Sequence, residues 1–354
     1  MKNNIIYLPG LNGIRAIAAL VVVFSHVNLN LNSFGLKKYS TSDLAGFGVT
    51  IFFTLSGFLI TYLLLKEKEQ FKTINIKKFY VRRILRIWPL YFLFILIGFI
   101  INPVKWDSKY NLILLMLPNI SFAFEYPMHL FGHFWSLGVE EQFYSFWPTL
   151  IKFSKKIHIV LLLFIISFLI IKTIFNIYFG SYSHMYTLIY VTRFDCMAIG
   201  GFGAWFMINY LSYVKKFSYS FIEIICWGII ILTAFNSFHI VSILDHEIIA
   251  AVTVLIIYQQ TVWDRRKIKL ENKLFDYLGS ISFGIYVYHP LMIYLNALWM
   301  NSITINDTLK WVFIQFVIFT SSILAAHLSF YCFESKILRL KSKYSLIESQ
   351  SKKD

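Results

Sequence analysis

Charge is what this chain has least of. Only 14% of its 354 residues are charged, and acids are scarcer than bases, 18 against 33. A soluble domain averages roughly 25% charged, so the shortage excludes an ordinary globular protein and a solvated disordered chain. Cysteine is scarce too. Cys196, Cys226 and Cys332 each lie in an apolar run, with no Cys-x-x-Cys pair and no His/Cys ligand spacing. That argues against a disulfide framework and a metal site, so free buried thiols and no metal are expected. No small-x-small cleavage pattern follows the first apolar run, which reads as an uncleaved span rather than a signal. Long hydrophilic loops and internal repeats are also lacking. What abounds is apolar: 58% hydrophobic and 19% aromatic residues. The composition predicts an all-α, polytopic membrane helix bundle.

Apolar runs long enough to cross fall at ten places, near residues 10–28, 43–65, 84–101, 133–151, 157–178, 186–208, 219–238, 245–262, 275–296 and 309–332. With the N-terminus inside, the inner segments hold Lys2 and the clusters Lys66–Arg83, Lys152–Lys156, Lys215–Lys216, Arg265–Lys273 and Lys336–Lys353. The outer segments hold only Lys37, Lys38, Lys105, Lys109 and Lys310. This asymmetry puts both termini in the cytoplasm and accounts for the net charge of +15 without nucleic acid. Asn111–Phe124 is apolar but short and broken by Pro118, and is expected to be re-entrant or interfacial on the outer side. Residues 1–335 thus read as one transmembrane domain and 336–354 as a short basic cytoplasmic tail.

The first span carries two ionisable residues, Arg15 and His26, eleven positions apart. Eleven steps of about 100° return to nearly the same face, about 16 Å further along the axis. Such groups face a protein interior or a wet cavity, unless Arg15 snorkels and His26 only caps the helix. The small residues Gly46, Gly48, Ser56 and Gly57 permit close helix packing or line a pocket. Arg82, Arg83 and Arg86 open the third span in the order Arg-x-x-Arg-Ile-Trp-Pro-x-Tyr. Arg83 and Arg86 share a face, which suits a polyanionic ligand such as a nucleotide phosphate, although the positive-inside bias alone also accounts for them.

Phe134-Trp-Ser-Leu-Gly-Val-Glu-Glu-Gln-Phe-Tyr144 places adjacent carboxylates, Glu140 and Glu141, at the start of an apolar span. The topology puts them at the level of His26, where either is expected to hold its imidazole in one tautomer. Arg193 and Asp195 lie in the outer half of the sixth span, as acceptor-site residues or as a buried ion pair. His289, in Tyr-Val-Tyr-His-Pro290, stands in the outer half of the ninth, as site residue or packed core. Trp135 and Ser136 complete the acceptor-side candidates.

Taken together and in order, GLNGIRAIAAL…SH, FFTLSGFLI, RRILRIWPLY, FWSLGVEEQFY, RFDCMAIGG and SFGIYVYHP resemble the acyltransferase 3 family of integral membrane proteins, from Leu11 to Glu334. The resemblance implies transfer of an acyl group, commonly acetyl, from cytoplasmic acyl-CoA to a carbohydrate outside the membrane. It assigns function to Arg15, His26 and the Arg83-x-x-Arg86 pair. Thr50 stands where the family often has Asp, and Phe333-Glu-Ser-Lys336 lacks the usual proline. Without an appended hydrolase-like domain the chain resembles the stand-alone type.

The expected protein is therefore a multi-pass O-acyltransferase of the bacterial cytoplasmic (inner) membrane. Its donor is acetyl-CoA or another acyl-CoA, with no permanently bound cofactor. Its acceptor is a hydroxyl of an extracytoplasmic or lipid-linked glycan, such as a surface polysaccharide, lipopolysaccharide or O-antigen. In that scheme Arg82, Arg83 and Arg86 bind phosphate, the thioester passes Arg15, and His26 takes the proton from the attacking hydroxyl. A double displacement through acyl-His26 stands as the variant. A polytopic transporter or flippase is the alternative, since intramembrane His, Arg and Glu suit that as well.

Overall fold

The computed structural model describes residues 4–37, 44–103, 107–216, 219–235, 239–263, 265–344 and 347–349. Lys2, Lys38, Lys105, Lys352 and Lys353 of the loop-charge pattern lie outside the described residues, as do 236–238 of the seventh expected span and Asp43 of the second. The described chain is helical apart from one parallel pair of three-residue strands, β1 (Asn4–Ile6) and β2 (Ile347–Ser349).

Three long helices come first: α1 (Leu11–Leu29), α2 (Leu44–Phe71) and α3 (Ile76–Ile101). The short α4 (Tyr110–Leu114) and α5 (Pro118–Ala123) lead into α6 (Trp135–Phe153) and α7 (Ile157–Phe179). Next are α8 (His184–Thr192), α9 (Phe194–Asn209), α10 (Leu211–Lys216), α11 (Ser220–Ala234) and α12 (Asp245–Val262). The chain closes with α13 (Lys273–Ser280), α14 (Ser282–Met300), α15 (Asp307–Ser329) and α16 (Ser335–Ser342), the last two joined by a π-helical turn over Phe330–Glu334.

The Asn111–Phe124 run forms two helices of five and six residues, separated at Met116 with φ 61°. Each spans less than about 10 Å, far short of a bilayer core. Among the described residues, five stretches can cross by length and composition: α1, α2, α3, α7 and the joined Asp307–Lys341; six if the pair α13–α14, bent by 66°, counts as one. The other expected spans are helical but fall short by that measure. α6 carries Glu140, Glu141 and Lys152, α8 and α9 break at Arg193 with φ 42°, α11 has 15 residues, and α12 carries Asp245 and Glu247.

The apolar periodicity divides each helix between protein and surroundings. On α7, Leu163, Ile166, Ile170, Ile174 and Ile177 are exposed while Leu161 and Lys172 are buried. An outward apolar face of that extent belongs against lipid. Inward, small residues set the approach of α2 to α9. A Cβ on Gly57 would stand 1.9 Å from the Met197 carbonyl oxygen, and one on Gly200 2.0 Å from that of Thr54. Burial gives little driving force between helices in lipid, so such close packing is what holds them. Cys196 and Cys226 are buried as expected, but Cys332, in the π-helical turn, is exposed.

The two ends of the described chain lie side by side. Asn4 pairs with Ile347, α16 packs on α3, and Arg82 Nη1 donates to the Tyr344 carbonyl at 2.9 Å. Asn75 caps α3 by accepting from the Lys78 amide at 3.0 Å, so α3 begins eight residues before the expected third span and takes in Lys77, Lys78, Arg82 and Arg83.

Candidate active site

The candidate site residues are spread over three places. The first is a narrow cavity of about 90 Å³ bounded by α1, α2, α3, α6 and α14. Arg15, Arg83, Arg86 and Glu140 line it together, with Ser56, Ser136 and Tyr286. Residues 83 and 86 point the same way because three helical steps nearly complete a turn. Arg83 lies over the rings of Phe79 and Tyr144, at 5.6 and 5.4 Å. Glu140 Oε1 accepts from Ser56 Oγ at 2.8 Å. Arg82, one step round the helix, is not in this lining. Its guanidinium is held 3.6 Å from Glu67 Oε2 and by the Tyr344 carbonyl. The C-terminal helix adds a cation the motif pattern did not include: Lys341 is within Coulombic reach of Arg15, Arg82, Arg83 and Arg86.

The second place is a cavity of about 760 Å³, lined by His26, His129, His133, Tyr294 and the amides of Asn30, Asn102 and Asn301. Arg15 and His26 thus lie on one helix and face two different cavities. His26 Nδ1 and His289 Nε2 share a hydrogen bond of 2.6 Å, with the rings stacked at 4.9 Å between centroids and 18° between planes. His289 is fully buried behind His26, and its Nδ1 stands 2.7 Å from the Tyr286 carbonyl oxygen. The His133 ring meets His289 edge-on at 5.3 Å.

The expected carboxylate–imidazole pair is not formed. Glu140 belongs to the arginine cavity, and Glu141 accepts from Trp88 Nε1 at 3.1 Å. The reason is depth: five residues into α6, Glu140 is about 7.5 Å further along the axis than Trp135, and that rise carries it past the histidines. The seam between the cavities is a short hydrogen-bonded chain. Ser136 Oγ and Tyr286 Oη lie 2.6 Å apart, and Tyr286 Oη donates to the His133 carbonyl at 2.6 Å. Of the acceptor-side candidates, Ser136 therefore sits at the seam and His289 behind His26. Trp135 lines neither cavity; it packs on Phe53 and Phe122 and receives the Arg193 guanidinium at 5.5 Å.

The third place holds the remaining candidates, and it lines neither of those cavities. Arg193 and Asp195 do not pair with each other. Arg193 Nη1 donates to the Gly46 carbonyl at 2.7 Å and lies 3.2 Å from Thr50 Oγ1, which in turn is 2.9 Å from His246 Nδ1. Asp195 Oδ2 accepts from Lys172 Nζ at 3.0 Å, and Lys172 also donates to Glu247. Asp195, Cys196 and Glu247 present their ligand atoms within 4.8 Å of one another, but the Lys172 ammonium already supplies the positive charge between the carboxylates. The motif reading missed Lys172, Glu247 and His246. A lysine alone in the apolar run Ile157–Phe179 was the available signal, since a buried ammonium in lipid requires a counter-charge.

The family model of the acyltransferase domain, acyltransferase 3 type, matches residues 8–327. Among curated relatives, the Staphylococcus aureus (strain MRSA252) protein named "Putative O-acetyltransferase SAR0937" is 28% identical over 96% of this chain and 59% of its own length. The corresponding SACOL0978 protein of strain COL is 28% identical over 92% of this chain and 56% of its own. O-acetyltransferase OatA of Staphylococcus aureus (strain NCTC 8325 / PS 47) is 30% identical over 51% of this chain and 32% of its own. The chain spans a little over half the length of the first two relatives. No solved structure matches it.

Proposed function

Because the chain belongs to the acyltransferase 3 family, we propose that it is an O-acyltransferase that moves an acyl group, acetyl in the simplest case, from cytoplasmic acyl-CoA to a glycan hydroxyl across the bacterial inner membrane. The observation that carries this reading is that α1 presents Arg15 to one cavity and His26 to another. The axial rise between them is about 16 Å. A phosphate anchor and a proton acceptor at that separation suit a donor with an anionic head and a long arm. The relatives named as O-acetyltransferases supply the reaction class.

In this scheme Arg83 and Arg86 hold the CoA phosphates by charge-assisted hydrogen bonds, with Arg15 at the inner end of the cavity. The arm passes the Ser136–Tyr286 seam, bringing the thioester to His26. The acceptor occupies the larger cavity, whose amide, imidazole and phenol groups match the hydroxyls of a saccharide, free or lipid-linked. His26 takes the hydroxyl proton as the oxygen attacks the thioester carbonyl. The new C–O bond forms, the C–S bond breaks, and the imidazolium returns its proton to the departing thiolate. The topology that serves this chemistry has ten crossings and both termini in the cytoplasm. The pairing of the terminal strands supports both ends lying on one side, and the basic loops favour that side being the cytoplasm. The C-terminal segment, the basic tail of the chain, then closes over the donor side through Lys341 and the Tyr344 carbonyl.

The test is acyl transfer by purified protein in proteoliposomes, supplied with radiolabelled acetyl-CoA and extracted cell-envelope glycans. Saturable acetyl-CoA binding and label in an alkali-labile ester on the glycan are expected. Binding without transfer to any glycan fraction, or no binding at all, would contradict the assignment.

A further inference from the structure

We infer that His289 is a positioning residue that fixes the tautomer of His26, so that Nε2 is the nitrogen that takes the acceptor's proton. The inference rests on reading His26 as the base, and it replaces the carboxylate expected for that task. The Tyr286 carbonyl oxygen only accepts, so His289 Nδ1, at 2.7 Å, carries a hydrogen. His289 is fully buried, and the titratable rings facing it are His26 on α1 and His133 in the turn before α6, with Tyr286 on its own helix. None of these is an anion, and an unpaired imidazolium in such a site is costly. A neutral His289 with its hydrogen on Nδ1 has a lone pair on Nε2. His26 Nδ1 therefore donates across the 2.6 Å contact, and the lone pair of His26 is on Nε2.

The pair does the orienting and tautomer-fixing work of the carboxylate in a Ser-His-Asp triad, without its charge. It also selects against the other tautomer, which would set two lone pairs against each other at 2.6 Å. The proton taken from the acceptor hydroxyl enters at Nε2 and leaves from Nε2 to the thiolate. His289 holds the Nδ1 hydrogen throughout and neither gains nor loses a proton.

Replacement of His289 separates this role from simple packing. Gln at 289 keeps an acceptor oxygen near the position of Nε2 but cannot fill the imidazole's shape; Leu fills space but accepts nothing. His289→Leu should lower kcat by about 10–100-fold while leaving acyl-CoA binding and its KM unchanged. His289→Gln should recover most of that loss. Equal activity of the Leu variant and wild type, or equal loss in both variants, would overturn the assignment. His26→Ala in the same assay keeps the two readings apart. If it stays active the base is misassigned; if it is inactive while His289→Leu is not, only the positioning role fails. A Leu variant that no longer binds acyl-CoA would show His289 to be a folding residue instead.

Discussion

Two buried polar groups in this bundle are held in opposite ways. The Lys172 ammonium is clamped between the carboxylates of Asp195 and Glu247, and none of the three lines the cavities described. His26 and His289 hold each other through a hydrogen bond backed by a main-chain carbonyl, and His26 faces a cavity of about 760 Å³. In the sequence the two sets look alike: ionisable residues set in apolar runs. The difference between them is what a membrane protein must decide for every such residue. A charge that is matched by another charge is a structural joint. A histidine that lines a cavity and is held by a second histidine is, in the proposed mechanism, the base.

The largest effect should come from the histidine side. His26→Ala is expected to lose transfer by about 10²–10⁴-fold while keeping acyl-CoA binding and yield. A variant with more than about a tenth of wild-type activity would erase the contrast. The ion cluster should respond in stability and not in chemistry. Lys172→Met leaves two carboxylates facing each other, and unfolding in detergent should show a loss of about 3–5 kcal/mol. Adding Asp195→Asn should restore part of it. A folded Lys172→Met protein with normal melting and no activity would move that cluster into the site.

The donor side gives smaller and graded effects. Arg83→Ala and Arg86→Ala should each weaken acyl-CoA binding by about 1.5–3 kcal/mol, read by titration calorimetry. Arg82→Ala should cost donor affinity less than about 1 kcal/mol, because that side chain is tied to Glu67 and the Tyr344 carbonyl. Equal losses at all three arginines would show that the motif, not the cavity, defines the site. Smallest is Glu140→Gln. Removing a negative charge beside the arginines should tighten acyl-CoA binding by about 0.5–1 kcal/mol and leave acceptor constants unchanged. A loss of transfer comparable to that of His26→Ala would restore Glu140 to the histidine.

The comparison also marks how far the sequence could be read. Helix positions followed from apolar runs: the expected span 157–178 is α7, Ile157–Phe179, and 245–262 is α12. Arg15 and His26 on one face of α1 followed from helical spacing alone. Partners did not, because a topology ranks residues by depth and is blind to direction around the helix. Glu140, Arg193 and His289 were all placed on the outer side, yet they point to the arginine cavity, to Thr50 and to His26. The break at Arg193 was equally hidden. A left-handed φ at a non-glycine residue is imposed by tertiary contacts, here the Gly46 carbonyl and the rings of Trp135 and Tyr190. Lys172 was passed over because it belongs to no motif, although burial in lipid obliges it to have partners.

Transfer across the membrane requires the two cavities to open to opposite sides. Single cysteines in a background lacking Cys196, Cys226 and Cys332 test this directly with an impermeant thiol reagent on intact cells. Asn301, exposed at the rim of the histidine cavity, and Lys78, in the first turn of α3 beside the arginines, are the two probes. Asn301→Cys should react in intact cells, and Lys78→Cys only after permeabilisation. Labelling of both from the same side would contradict a donor site and a base on opposite faces of the bilayer.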